Sequence, residues 1–129
     1  MNNIEIGKTY IRAAQSGDQA LLASIVSPDV VWHQPGGNQF SGTRTGLASV
    51  GDMLGRMMEV SRGTFSISSA DHFMANGDYV AVILAFSGER DGIKLAQPGV
   101  DLLRVIDGKI VEVRLFSADQ ATEDEFWGR

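Results

Sequence analysis

Three side chains spread along the sequence have the chemistry to move a proton beside a carbonyl group: Tyr10, His33 and Asp101. Such a step needs a base whose pKa lies near working pH and a donor for the oxygen that gains charge. An imidazole titrates around neutrality, so His33 is the candidate base. The phenol of Tyr10 is a candidate donor. Asp101 donates only if it keeps its proton, which requires removal from water, and Val100, Leu102 and Leu103 surround it with apolar sequence. Each residue also has a plainer reading. His33 could hydrogen-bond the segment Gln39–Gly46, Tyr10 could be a core aromatic with a hydrated hydroxyl, and Asp101 could pair with Arg104 or Arg114. His72, in an alternating segment beside Asn76-Gly77, reads as solvent-facing. With only two histidines and no cysteine, no metal site is expected. Gly36-Gly37 lacks the lysine of a phosphate loop.

The elements that must position these groups are legible in the periodicity. Ile4, Ile6, Tyr10, Ile11, Ala13 and Ala14 give helical spacing from about Ile4 to Gln15, and Ser16-Gly17-Asp18 ends that helix and caps a second over Gln19 to Val26. Ser27-Pro28-Asp29 breaks it. Val30 to Gln34 is β-branched and aromatic and stops at Pro35-Gly36-Gly37, which predicts a strand. Gln39 to Gly46 reads as a loop, and Leu47 to Val60 returns to helical spacing with Val50, Leu54, Met57 and Met58 on one side. Thr64–Met74, Tyr79–Phe86, Lys94–Ile106 and Ile110–Phe116 then read as four strands, separated by turns at Asn76-Gly77, Asp91-Gly92 and Asp107-Gly108. Pro98-Gly99 suggests a bulge or kink within the third of them. A tail from Asp119 to Trp127 reads as a helical turn or more, docked by Phe126 and Trp127.

Consecutive hairpins make the sheet mainly antiparallel, so the expected fold class is α+β: a bent sheet wrapped over three helices as a cone. Strand parity puts Asp101, Leu103 and Val105 on one face and Val31 with His33 on one face of theirs. If both faces turn inward, the polar groups meet in an enclosed apolar pocket. Val31, Trp32, Leu54, Met57, Met58, Leu103 and Phe116 are the expected lining, although methionines at helical spacing serve equally as core.

Composition narrows the function classes. The chain has 129 residues, fitting one domain over 1–129, with 43% hydrophobic and 21% charged residues. Its net charge is −5, and its lysines and arginines are scattered singly, so neither nucleic acid nor an anionic membrane surface is an expected partner. No apolar stretch approaches a membrane span, and the N-terminus lacks a signal-peptide pattern, so the cytoplasm is the expected compartment.

The element order, together with Tyr10, Gly17-Asp18, Trp32-His33-Gln34-Pro35-Gly36, Gly42 and Gly46, resembles the SnoaL-like, ketosteroid-isomerase-related proteins of the nuclear-transport-factor-2-like superfamily. Val100-Asp101-Leu102-Leu103-Arg104-Val105, Asp107-Gly108-Lys109-Ile110, Asp119-Gln120 and Phe126-Trp127 continue the likeness over nearly the whole chain. The resemblance implies that Tyr10 and Asp101 are two donors to a substrate oxyanion. It implies that His33 stands where the isomerases carry an aspartate base, and that Asp119 corresponds to the acid/base aspartate of SnoaL-type polyketide cyclases; at a strand end after Ser117-Ala118, Asp119 could equally cap the C-terminal turn. It also implies a homodimer formed through the outer sheet face. The function expected is cofactor-independent acid/base catalysis, of isomerase, cyclase or dehydratase type, on a small apolar carbonyl compound. A non-catalytic carrier of hydrophobic ligands, a dimeric scaffold and an epoxide-hydrolase-type activity are the alternatives; the last needs an Asp-Arg-Asp arrangement that the sequence does not place.

Overall fold

The computed structural model describes all 129 residues. Helix α1 (Asn3–Ser16) starts at a capping box, in which the Asn2 side chain accepts from the Glu5 amide and Glu5 reaches back to Asn2. Asp18 then caps α2 (Gln19–Ile25) by accepting from the Leu21 amide. The chain runs without a break into β1 (Val26–Gln34), which begins four residues earlier than the proline suggests. Pro28 sits in the irregular part of that strand, between its two stretches of pairing with the last strand. A short strand, β2 (Gly42–Thr45), follows inside the segment expected to be a loop. Its residues carry no apolar alternation because they pair on one edge only, with β1 from Val31 to Gln34.

Helix α3 (Leu47–Val60) matches its periodicity and buries Val50, Met53 and Met57. Four long strands follow: β3 (Ser66–Asn76), β4 (Tyr79–Arg90), β5 (Ile93–Ile106) and β6 (Lys109–Ser117). The β4–β5 and β5–β6 connections are two-residue turns, Asp91-Gly92 and Asp107-Gly108, in which both residues have positive φ. That backbone matches the twist of the flanking strands, and Asp-Gly tolerates it. A fourth helix, α4 (Gln120–Trp127), closes the chain.

The six strands form one sheet in the order β2-β1-β6-β5-β4-β3, with β1 and β6 parallel and the other pairs antiparallel. This is the cone-shaped α+β fold expected, with four helices. Pairing runs through Pro98-Gly99 without a shift, and the irregularity of β5 falls at Arg104–Val105. Gly99 instead permits a close approach, since a Cβ there would lie 2.5 Å from the Phe116 carbonyl. The concave face carries Val80, Val82, Leu84, Phe86, Leu103, Val105, Ile110 and Val113 into a core completed by Ile6, Ile11 and Met53 from the helices. Trp127 is fully buried at one end, with ring centroids 4.8 to 5.1 Å from Phe40, Phe65 and Phe126. That cluster docks α4 against the sheet.

Candidate active site

A cavity of about 240 Å³ lies between the concave face and the helices. Tyr10, Ala13 and Ala14 of α1, Leu22 of α2, Leu54, Met57 and Met58 of α3, and Leu84, Phe86 and Leu115 of the sheet form its apolar wall. Its polar groups are few, as in most sites for small organic molecules. The expected enclosure is only partial. Exposed Gly17, Asp18 and Gln19 contribute to the lining, as does Met58 at 42% exposure, so the cavity opens to solvent beside the α1–α2 turn.

Asp101 sits on the cavity wall, paired in the sheet with Val82 and Leu115. The Tyr10 hydroxyl donates to its Oδ2 at 2.8 Å. Arg104 and Arg114 lie at sheet positions of opposite parity, so no arginine pairs with Asp101. Burial pushes the Asp101 carboxyl up to about 7; the Tyr10 hydrogen bond works against the rise and the charge of Glu123 adds to it. Burial also raises the Tyr10 phenol well above its usual value, with the neighbouring carboxylate adding to the effect. Tyr10 is therefore a neutral donor across the working pH range. Asp101 Oδ1 has no protein partner, and no sealed side-chain polar atom in the molecule lacks one, so Oδ1 faces the open space of the cavity.

Two further polar residues line the cavity that sequence reasoning did not single out. Gln34, 6% exposed, accepts from Trp32 Nε1 at 2.9 Å through its Oε1. Glu123, on α4, accepts from Ser117 Oγ at 2.6 Å, Gln120 Nε2 at 3.1 Å and Trp127 Nε1 at 3.2 Å. The signal for Glu123 was its spacing: it lies four residues before Trp127, on the helix face that the buried tryptophan defines. The signal for Gln34 was its parity with bulky Trp32.

The placement of β1 corrects two expectations. Val30, Trp32 and Gln34 turn inward, so Val31 and His33 stand on the convex face. There His33 Nε2 lies 2.8 Å from Glu112 Oε2 and Nδ1 lies 3.2 Å from Thr43 Oγ1. The His33 hydrogen bond holds the Glu112 carboxyl below its usual range, with Arg114 adding to the effect. Leu103 shares the face of Asp101 but is fully buried in the core and does not reach the cavity. Asp119 caps α4, accepting from the Thr122 amide at 3.1 Å and hydroxyl at 2.7 Å, and lies on the surface away from the cavity. The Thr122 hydroxyl, then its amide, holds the Asp119 carboxyl below the usual aspartate range. Trp32, Leu54, Met57 and Met58 line the cavity; Phe116 lies at its border, but its parity is opposite to that of inward-facing Leu115, so its side chain stands on the convex face, 54% exposed. Tyr10 and Asp101 are thus brought together, and His33 and Asp119 are held outside.

No three histidine, aspartate or glutamate side chains cluster to hold a metal ion. No helix is long and apolar enough to cross a membrane.

The SnoaL-like domain family matches residues 8–113. A protein of unknown function with a cystatin-like fold from Xanthomonas campestris is 67% identical, with a TM-score of 0.97 and full coverage of both chains. Bal32a, from a soil-derived mobile gene cassette, is 26% identical with a TM-score of 0.92, over 97% of this chain and 95% of its own. IdmH of Streptomyces antibioticus, a candidate polyketide cyclase, is 21% identical with a TM-score of 0.74, over 91% and 93% of the two chains. Among curated proteins, none matches. The matched span reaches from α1 to β6, and the chain belongs to the SnoaL-like domain family.

Proposed function

We propose that this protein is a cofactor-independent enzyme that moves a proton on a small, apolar, carbonyl-containing molecule, in a reaction of isomerase, cyclase or dehydratase type. The observation that carries the reading is Asp101: a carboxyl of pKa about 7 on the wall of an apolar cavity, fixed by Tyr10 through one oxygen and free at the other. A group with that pKa is populated in both protonation states at neutrality, the condition under which a general base also returns its proton efficiently. Oδ1 takes a proton from the carbon beside the carbonyl, the electron pair moves toward the carbonyl oxygen, and Oδ1 returns the proton at the same or a conjugated position. Tyr10 stabilises the carboxylate form of Asp101, which is present before Oδ1 takes the proton and again after it returns it. This reading moves the basic role from His33 to Asp101. IdmH, as a candidate polyketide cyclase of the same fold, is consistent with chemistry of this type.

Deuterium exchange into an enolisable bicyclic ketone such as 2-tetralone, followed by NMR, tests the proposal. Exchange should accelerate with the wild-type protein and rise through pH 7 as Asp101 ionises. Asp101→Asn should lower it by roughly 100-fold or more, while His33→Ala stays close to wild type. Retained exchange in Asp101→Asn would end the acid/base reading. The second reading, carriage of a hydrophobic ligand, would then stand, favoured by the placement of the only nearby imidazole outside the cavity. An epoxide-hydrolase-type activity draws no support from the site, because no arginine lines the cavity.

For partners we propose a small apolar molecule in the cavity and a second copy of the chain on the convex face, where Ile83, Val100 and Phe116 lie side by side across β4, β5 and β6.

A further inference from the structure

The cavity holds an uneven set of polar atoms. No lysine, arginine or histidine lines it, whereas Asp18, Asp101 and Glu123 all do. Most of its buried polar atoms are already engaged: both Glu123 oxygens accept from protein donors, the Ser117 hydroxyl donates to Glu123, and the Tyr10 hydroxyl donates to Asp101. Two atoms on nine-tenths-buried residues are not. One is Asp101 Oδ1. The other is Gln34 Nε2, since Gln34 spends its Oε1 on Trp32 and its amide nitrogen has no protein partner. No sealed polar atom goes unpaired in this molecule, so this NH₂ also reaches the cavity space.

An amide orientation is set by its hydrogen bonds. Trp32 Nε1 can only donate, so the oxygen of Gln34 must face the indole and the NH₂ must face away from it. The indole thus fixes a donor of known polarity on the cavity wall. A donor fixed in an apolar wall and open to the cavity is available to a ligand, and a ligand that enters and displaces solvent without offering it an acceptor leaves it unpaired at a cost. The ligand atom that completes it is an acceptor oxygen. A charged oxygen fits poorly, because a carboxylate would enter an apolar space already holding Glu123 and Asp101, with no cation to offset it.

We propose that Gln34 Nε2 is the binding donor for a neutral acceptor oxygen of the ligand, a ketone, aldehyde or ester carbonyl, and that the cavity selects such molecules against their carboxylate counterparts. The inference deepens the acid/base reading by naming the group that holds the substrate oxygen and the charge class admitted. A cavity of about 240 Å³ suits a skeleton of one or two rings.

Three probes of one shape test it without any turnover: 2-acetylnaphthalene, 2-naphthoate and 2-ethylnaphthalene, titrated at pH 8 by NMR with the Gln34 side-chain amide signals observed. The ketone should bind about tenfold or more tighter than either of the others, the increment of one good hydrogen bond, and it alone should displace the Gln34 NH₂ signals. Gln34→Glu keeps an acceptor for Trp32 and removes the donor, and Gln34→Leu removes both. Each should abolish the preference for the ketone over ethylnaphthalene while ethylnaphthalene affinity holds. If Gln34→Leu fails to fold, Gln34→Glu carries the test. Equal binding of ketone and naphthoate, an unchanged ketone preference in Gln34→Glu, or no binding of any probe would overturn the proposal. Ketone selectivity in a protein that shows no Asp101-dependent exchange would sink the catalytic reading and leave this one standing.

Discussion

Asp101 concentrates the physical tension of the site, because a carboxyl in an apolar wall resists ionisation that it undergoes freely in water. In the unfolded chain it loses its proton near the ordinary 3.8, and in the folded protein near 7. Between these values the native state holds the extra proton, so raising the pH drives unfolding, and stability attributable to this residue falls from about pH 4 to about pH 7 and is level above. Urea midpoints measured across that window should therefore decline in the wild type more steeply than in Asp101→Asn. Tyr10→Phe supplies the complementary observation. The Tyr10 hydrogen bond lowers the Asp101 pKa, so its loss should move the rise of the exchange rate to higher pH. A limb that moved to lower pH would contradict this assignment of the hydrogen bond.

At the scale of elements, α4 and the loop after β1 form one assembly that holds Glu123 at the cavity. Asp124 accepts from the Gly37 amide at 3.0 Å and the Asn38 side chain at 2.9 Å, and Gln39 Nε2 donates to the Trp127 carbonyl at 2.8 Å. Gly36 has φ +89°, and a Cβ there would fall 2.1 Å from Asp124 Oδ1. Gly36→Ala should therefore destabilise the protein by more than ~1 kcal/mol, through backbone strain at positive φ and displacement of the Asp124 and Gln120 side chains from their contacts. Asp119 contributes to the same assembly as a helix cap. Asp119→Ala should lower the melting temperature by a few degrees and leave ketone exchange intact, since the residue lies outside the cavity. Lost exchange with an unchanged melting temperature would return Asp119 to the catalytic roles.

Across the whole molecule the sheet has two unlike faces. The concave side is filled by helices and cavity. The convex side carries the polar cluster His33, Glu112 and Arg114 toward β1 and β6, and apolar Ile83, Val100 and Phe116 toward its middle, with Phe116 and Met74 each 54% exposed. If that apolar row closes a homodimer, Val100→Asp should yield monomers in sedimentation experiments while ligand binding in the cavity persists. A wild-type protein that sediments as a monomer at tens of micromolar would remove this proposal.

Much of this was legible in the sequence by itself. Helical spacing located α1 and α3, Asp-Gly pairs located the turns between β4, β5 and β6, and an aspartate inside the apolar run of β5 marked the buried carboxyl on the cavity wall. These are local properties: periodicity, backbone preference and the penalty for burying a carboxyl act over a few residues. The inward face of β1 was not legible. Alternation divides Val31 and His33 from Trp32 and Gln34, but both sets contain an apolar side chain, and only pairing with β6 and the docking of the helices decide which set turns in. The same holds for β2, whose glycine and three polar residues become a strand only because β1 offers them an edge. Tertiary structure thus chose Gln34 over His33 for the cavity and brought Glu123 across from the far end of the chain. Only the packed sheet brings β1, β5 and α4 together around one space.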